Sequence, residues 1–294
     1  MILQFQHEGG IMREFRLVTL VLLVSNLSFI LKRVKMKNLI FCIFAIVLLA
    51  GSYASAAIKN MALELKSDPN SFFEAPDNPV FHQKLGDTFT AEAWVFSMDQ
   101  VGERMIVNKE DSYEFALRNN GMFEAALKVA GAGWDWHSSG VKVENEKWTH
   151  VAITWDGKVV RMFVDGKKAP GEKDMAGTAL NVTDSTFKVG RRERGGETHS
   201  IFDGLIDEVR ISKGLRYTGD YALPKGAFEP DADTMALYHF DEAVGGVIKD
   251  HSKSGIDGKL VGKAQLVKID LPNTQQAVEA RGKLATLWGR LKAQ

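Results

Sequence analysis

The chain has 294 residues, a single cysteine, and 37 lysines and arginines balanced by 37 aspartates and glutamates. Its length allows one large β domain or two small domains, and a hydrophobic fraction of 45% is enough for an ordinary globular core. Zero formal net charge argues against the basic footprint of a nucleic-acid-binding protein and against a polybasic membrane-binding patch.

Residues 1–56 differ from the rest of the chain and are predicted to form a leader. Basic residues precede an apolar run over Leu39–Ala50, and small residues end the segment at Ala56. A charged start, an apolar run and a small-x-small site together predict a secretory signal peptide over 36–56. Cleavage after Ala56 would remove Cys42, which would leave the mature chain without a thiol nucleophile or a thiolate metal ligand.

A second apolar run, Leu17–Leu31, lies farther upstream. We interpret residues 1–35 as the product of an upstream start codon that was chosen in error. The alternative is that Leu17–Leu31 forms a genuine membrane anchor, and we expect membrane contact only through such an uncleaved leader. The processed protein is therefore expected to be secreted, periplasmic or displayed at the cell surface.

Residues 57–270 are predicted to fold as one β domain, because short β-rich runs alternate with turns along this segment. Apolar and polar residues alternate over Phe89–Val95, as in a strand with one apolar face. Asp156-Gly157 separates the β-rich runs Trp148–Trp155 and Lys158–Val164, which strongly indicates a hairpin. Ten or more such strands without a helical period indicate an all-β sandwich or barrel.

The C-terminal segment, residues 271–294, has a different pattern and is predicted to form a short amphipathic α-helix. Its apolar residues at helical spacing are Ala277, Ala280, Leu284, Leu287, Trp288 and Leu291. Basic residues close the segment, as suits the C-terminal end of a helix. Two interpretations stay open: the helix docks on the sandwich or frays, or it contacts a partner or another copy of the chain.

Five segments, in order along the chain, resemble one known family. They are FTAEAWV (Phe89–Val95), KWTHVAITWDG (Lys147–Gly157), VRMFVDGK (Val160–Lys167), FKVGR (Phe187–Arg191) and FDGLIDEVRISKGLRY (Phe202–Tyr217). Their order resembles that of the laminin-G-like and concanavalin A-like jelly-roll domains, in particular the exported bacterial members. The resemblance implies a two-sheet antiparallel β-sandwich of the jelly-roll type. This fold hosts lectins, adhesion modules and glycosidases alike, so it does not give the function.

Catalytic carboxylates do not occur at the spacing that glucanases on this fold use. Those enzymes carry Glu-x-Asp-x-Glu on one strand, because alternate residues point to one face of a sheet. Glu172 and Asp174 are not followed by a glutamate at the next alternate position. Asp207 and Glu208 are adjacent, so they are predicted to point to opposite faces. The chain is therefore predicted to be non-catalytic.

Calcium takes oxygen ligands, and many members of the wider superfamily bind it. The resemblance implies a structural calcium site in which Asp68 and Asn70 of the first hairpin loop meet Asp207. The alternative is that Asp68 and Asn70 are turn formers, while Asp207 pairs with Arg210 or with a backbone amide. A pentraxin-like site at Glu110 and Asp111 is less favoured, because the loop Arg191–Glu197 that would complete it is rich in arginine.

Trp134, Trp136 and His137 form the first candidate ligand site. Glycines precede them and Ser-Ser-Gly follows, which predicts a loop or a loop-like strand tip. If the segment is extended, both indoles lie on one side and Asp135 on the other, as a flat aromatic platform suited to sugar rings. The alternative is a loop folded over the mouth of the sandwich, with one tryptophan buried.

Arg191, Arg192 and Arg194 form the second candidate ligand site. Guanidinium groups bind carboxylates and phosphates through paired hydrogen bonds, so this loop could clamp an anionic group. The alternative interpretation is a solvated run of charges.

Together, these patterns favour an exported, non-catalytic binding module that recognises a glycan or an extracellular protein. Two alternatives remain open at this point. One is a structural cell-surface protein that docks through its C-terminal helix, and the other is a divergent carbohydrate-active enzyme.

Overall fold

The computed structural model describes residues 60–82, 88–99 and 101–269. Within these ranges lie twenty strands and two single-turn 3-10 helices, at Pro79–Phe81 and Asn119–Gly121. The predicted leader and the predicted C-terminal helix fall outside the described residues. No helix in the described ranges is long and apolar enough to cross a membrane.

The strands are short and follow the alternating runs of the sequence. In chain order they are β1 (Met61–Leu65), β2 (Ser71–Ala75), β3 (Phe89–Ser97), β4 (Arg104–Lys109), β5 (Tyr113–Leu117), β6 (Met122–Val129), β7 (Gly133–Lys142), β8 (Thr149–Trp155), β9 (Val159–Val164), β10 (Lys167–Lys168), β11 (Lys173–Asp174), β12 (Phe187–Val189), β13 (Arg192–Arg194), β14 (Glu197–His199), β15 (Gly204–Lys213), β16 (Thr234–Tyr238), β17 (Ala243–Val244), β18 (Val247–Ile248), β19 (Gly258–Gly262) and β20 (Gln265–Lys268). The all-β prediction is confirmed.

Sheet A has nine antiparallel strands in the order β10-β9-β8-β3-β15-β1-β20, with β11 also paired to β9 and β16 to β15. Its β8–β9 pair is the hairpin that Asp156-Gly157 predicted. Strands β1 and β20 lie side by side at one end of the sheet, with Met61 opposite Lys268. The described domain therefore begins and ends at the same place.

Sheet B also has nine antiparallel strands, in the order β17-β18-β19-β2-β12-β4-β5-β6-β7. Strands β13 and β14 form a separate two-stranded ribbon that belongs to neither sheet. Sheets A and B enclose one core between them, as in a β-sandwich. This arrangement confirms the two-sheet antiparallel prediction.

The main core lies between the inner faces of the two sheets and takes alternate residues from each strand. Ala93 and Val95 of β3 and Phe115 of β5 are fully buried there. The Trp155 side chain is also fully buried, and its indole Nε1 donates a hydrogen bond to the Met175 carbonyl at 2.9 Å. Trp155 is therefore a core residue whose single polar atom is satisfied.

A second apolar cluster covers the outer face of sheet A. Trp94 and Trp148 pack there with Phe228, which belongs to the segment that connects β15 to β16. Tyr217 and Tyr221 of the same segment stack on each other, with ring centroids 3.5 Å apart. Because this segment covers the outer face of sheet A, a broad ligand surface is better sought on sheet B.

Glu92 is the centre of a polar network beneath this covering segment. Its side chain is fully buried and accepts hydrogen bonds from Arg210 Nε at 2.8 Å and from the Tyr217 hydroxyl at 2.7 Å. His150 Nε2 lies 3.1 Å from the same carboxylate. Burial would raise the pKa of Glu92, but His150 and Arg210 outweigh it and lower the pKa. The carboxylate is thus held in its charged form inside the protein.

Gly204, the first residue of β15, is required by its backbone conformation and its neighbours. Its φ is +139°, and a Cβ placed there would overlap the Phe96 carbonyl oxygen. Gly204→Ala is therefore expected to lower the free energy of unfolding by about 2 kcal/mol. Gly219→Ala is the control, because a Cβ at Gly219 meets no atom. Urea unfolding measures the free energy of unfolding of both variants. An equal loss in the two would contradict the requirement for glycine at position 204.

Candidate ligand-binding face

The outer face of sheet B carries both tryptophans of the Trp-Asp-Trp-His segment. The segment lies in β7, a ten-residue strand at the end of sheet B, and is not a loop. Trp134 pairs with Lys128 and Trp136 with Ala126, so both indoles share one face while Asp135 takes the other. The prediction for an extended segment, with both indoles on one side, is confirmed.

The two indole rings stand edge to face. Their centroids are 6.3 Å apart and their planes meet at 89°. The prediction of a flat platform is wrong, because aromatic pairs favour the arrangement that brings a positive ring edge to a negative ring face. Both side chains are half-buried, so ring surface remains available to a ligand.

A guanidinium group lies over each of the two indoles. Arg118 is 4.8 Å from the ring centroid of Trp136, and Arg192 is 5.6 Å from the ring centroid of Trp134. Arg118 also forms an ion pair with Glu103. Arg118 was not among the residues predicted from the sequence, because it meets Trp136 only through the pairing of three strands.

Arg192 connects the β13–β14 ribbon to sheet B. Its Nε and Nη2 atoms donate to the two carboxylate oxygens of Glu110 at 2.9 and 3.1 Å, and Nε lies 3.3 Å from Glu114. Burial would raise the pKa of Glu110, but the Arg192 hydrogen bonds outweigh it and lower the pKa. An arginine thus occupies the place where a cation at Glu110 would sit.

The other two arginines of the loop lie elsewhere. Arg191 donates to the Pro69 carbonyl at 2.8 Å, and its guanidinium lies 4.1 Å from the Phe72 ring centroid. Arg194 is exposed on the ribbon, where its backbone pairs with Glu197. The structure does not bring the three guanidinium groups together, so they do not form the predicted anion clamp.

His137 is separated from the indole face. It pairs with Ala125, a core residue, and only 6% of its surface is exposed. Burial lowers the pKa of its imidazole. The alternation of β7 therefore turns His137 toward the inner side of the sheet, although the sequence placed it in the same candidate site.

Asn108 and Glu114 are cross-strand neighbours on β4 and β5, and both are fully buried. The Asn108 amide donates to Glu114 at 2.8 Å and to Glu110 at 3.1 Å. Burial, together with the neighbouring Glu110 carboxylate, raises the pKa of Glu114 to about 9. Glu114 is therefore an uncharged carboxylic acid at neutral pH, a feature that the sequence did not reveal.

The three residues predicted to bind calcium do not converge. Asp68 lies beyond the Leu65 end of β1, whereas Asp207 lies near Ala62, since Ile206 pairs with Leu63. Ala62 and Leu65 are roughly 10 Å apart along the strand, which is too far for ligands of one calcium ion. Asp68 Oδ1 instead accepts the Asn70 amide at 2.8 Å, the turn-forming alternative. These residues do not fit a shared ion, and whether the protein binds calcium stays a prediction.

Asp207 and Glu208 lie at a β-bulge, where the register of β15 against β3 shifts. Two residues rather than one separate the core residues Ile206 and Val209. Both carboxyl groups therefore point away from the core, on the same face of the sheet. The prediction that they point to opposite faces is therefore wrong. Asp207 accepts the backbone amide of Glu208 at 2.9 Å, which is one of the alternatives to calcium binding.

Comparisons with known proteins agree with this architecture. A family model described as the concanavalin A-like lectin/glucanases superfamily matches residues 68–217. A search of curated proteins finds no match. Among solved structures, a candidate carbohydrate-binding protein from Bacteroides ovatus is 19% identical with a TM-score of 0.56, over 72% of this chain and 61% of that chain. The aligned part is thus less than two thirds of that protein.

Two further structures show weaker likeness. Domain 4 of the arabinanase AbnA from Geobacillus stearothermophilus, in complex with arabinotriose, is 19% identical with a TM-score of 0.40, over 52% of this chain and 70% of that chain. A pentraxin from Limulus polyphemus is 13% identical with a TM-score of 0.39, over 53% of this chain and 77% of that chain.

Proposed function

This chain belongs to the concanavalin A-like lectin/glucanase superfamily, and from that premise we propose that it is an exported, non-catalytic module that binds a glycan. One observation carries the proposal: two half-buried indoles, Trp134 and Trp136, share the outer face of sheet B. Indole rings stack on sugar rings, and polar groups beside them bond the hydroxyls. The likeness to a candidate carbohydrate-binding protein supports the same proposal.

The carboxyl groups near the indoles support a binding role over a catalytic one. Asn108 Nδ2 and Arg192 Nε each contact both Glu110 and Glu114, so the two carboxyl groups lie side by side, and Arg192 holds both oxygens of Glu110. Retaining glycosidases keep their two carboxyl groups about 5 Å apart, on either side of the sugar bond. This pair leaves no such space for a substrate.

A glycan array tests the proposed function directly. Protein recovered from the exported fraction is expected to bind a set of related glycans, and Trp134→Ala/Trp136→Ala is expected to lose that signal. If the protein binds no glycan but binds an extracellular protein through the same two tryptophans, its ligand is a protein and not a glycan.

A further inference from the structure

Two buried polar atoms on the outer face of sheet B have no hydrogen-bond partner within the protein. They are Asn108 Oδ1 and Glu114 Oε2, on neighbouring strands. Their other polar atoms are paired, since Asn108 Nδ2 donates to Glu114 Oε1 at 2.8 Å. Buried polar groups are nearly always paired, so two adjacent exceptions require an explanation. A ligand that supplies one donor and one acceptor at this point would satisfy both.

The β13–β14 ribbon covers these atoms through Arg192. The ribbon shares no backbone ladder with sheet B, and a two-stranded ribbon is only marginally stable by itself. A residue with a left-handed backbone lies close to each end of the ribbon, Gly190 with a φ of +88° and Ser200 with a φ of +54°. At its tip, Cβ atoms on Gly195 and Gly196 would meet nothing. The ribbon is thus an appended cover, and polar contacts attach it to sheet B: Arg192 pairs with Glu110, Glu193 lies 3.6 Å from Lys188, and the Ser200 carbonyl accepts the Met105 amide at 2.9 Å.

We propose that Asn108 and Glu114 form a hydroxyl-binding subsite for a neutral sugar, which Arg192 covers and which opens when the ribbon moves. The subsite deepens the glycan-binding function proposed above and rests on it. Asn108 Oδ1 accepts a hydrogen bond, and a protonated Glu114 carboxyl can both donate and accept one. Neighbouring hydroxyls of a sugar ring supply the complementary groups.

The charges around the indoles favour a neutral ligand. Three cations near the indoles already have carboxylate partners: Arg118 pairs with Glu103, Arg192 with Glu110, and Lys128 lies 3.4 Å from Asp111. An anionic sugar would have to displace one of these carboxylates and leave it unpaired. A neutral sugar bonds through hydroxyls and leaves the ion pairs in place, at a lower desolvation cost.

The subsite and the indoles are placed to bind one extended ligand. Glu114, Ala126 and Trp136 lie in register on the adjacent strands β5, β6 and β7. Two strand spacings separate Glu114 from Trp136, which is roughly 10 Å. The ligand is therefore an oligosaccharide of at least two units, with one ring on the indole and another over the subsite.

Calorimetric titration with cellohexaose, mannohexaose and arabinohexaose tests the subsite. Glu114→Met removes the hydrogen-bonding group at similar size and is expected to weaken binding about tenfold. Glu114→Gln is uncharged, like the protonated acid, and is expected to bind within about twofold of the parent. Glu74→Met is the matched control, since Glu74 lies on the same face two strands away from β4. The control is expected to bind as the parent does.

The outcomes separate the subsite from the proposed function. One outcome overturns the subsite and leaves the glycan-binding function in place: the parent binds sugars, Trp136→Ala loses that binding, and Glu114→Met retains it. If the parent binds no sugar, the function itself fails. If Glu114→Met is too unstable for titration, Asn108→Ala takes its place, because it removes the acceptor on the neighbouring strand. A hexagalacturonate bound as tightly as the neutral sugars would overturn the assignment of a neutral ligand.

Arg192→Lys tests the covering role. Lysine cannot hold both oxygens of Glu110, so the cover is loosened and the association rate constant is expected to rise severalfold. An unchanged or slower association, measured by stopped-flow tryptophan fluorescence, would overturn the cover.

Discussion

Replacing both Trp134 and Trp136 with alanine is expected to weaken glycan binding by about a hundredfold or more, because aromatic contacts at the centre of a binding site each contribute about 2 kcal/mol. The free energy of unfolding is expected to fall by less than about 2 kcal/mol, since both rings are half-buried on a strand at the end of a sheet. Titration calorimetry and urea unfolding measure the two effects separately.

Trp155→Ala is the matched control for the double variant. Trp155 is fully buried between the sheets, and its truncation is expected to remove about 3–5 kcal/mol of stability. If the double variant instead loses as much stability as Trp155→Ala, the two surface tryptophans are packing residues. If it changes neither binding nor stability, the ligand binds at another surface.

Glu92→Ala is expected to lower the free energy of unfolding by about 3–5 kcal/mol, the largest stability effect that we predict for a polar residue. The change leaves the Arg210 guanidinium and the Tyr217 hydroxyl without their acceptor beneath the segment that connects β15 to β16. An uncompensated buried charge is far more costly than a missing methylene. Loss of this acceptor is also expected to free the covering segment, which protease sensitivity would report.

The pH dependence of stability gives a second measurement of Glu92. Its pKa in the folded protein lies below the usual value of 4.5, so its contribution to stability is present above that value and is lost as the pH falls through the folded pKa. Glu92→Gln is expected to remove this part of the acid sensitivity. Glu172→Gln is the control, since its exposed ion pairs contribute less than about 1 kcal/mol. Equal acid sensitivity in the parent and in Glu92→Gln would contradict the assignment.

The sequence predicted the elements of this fold that depend on local pattern. Alternation over Phe89–Val95 matched β3, and Asp156-Gly157 matched the β8–β9 hairpin. Alternation also predicted that Trp134 and Trp136 share one face. These features follow from neighbouring residues alone, because a strand fixes the side of each residue by its position.

Features that depend on pairing between distant strands were not predictable in the same way. Glu92 meets Arg210 across 118 positions, and Arg192 meets Glu110 across 82 positions, so neither pair has a local signature. The bulge at Asp207 breaks the alternation on which the sequence prediction relied. The angle between the indoles is a side-chain packing choice that strand position does not fix.

The pairing of Met61 with Lys268 has a consequence for protein engineering. When the first and last strands of a domain are neighbours, a short peptide can join them, and new ends can be opened at an exposed turn. The open turn at Gly195-Gly196 is a natural place for such ends, because no packed side chain would be lost there. The permuted chain would keep every strand of both sheets, while the ribbon beside the indoles would become two free termini.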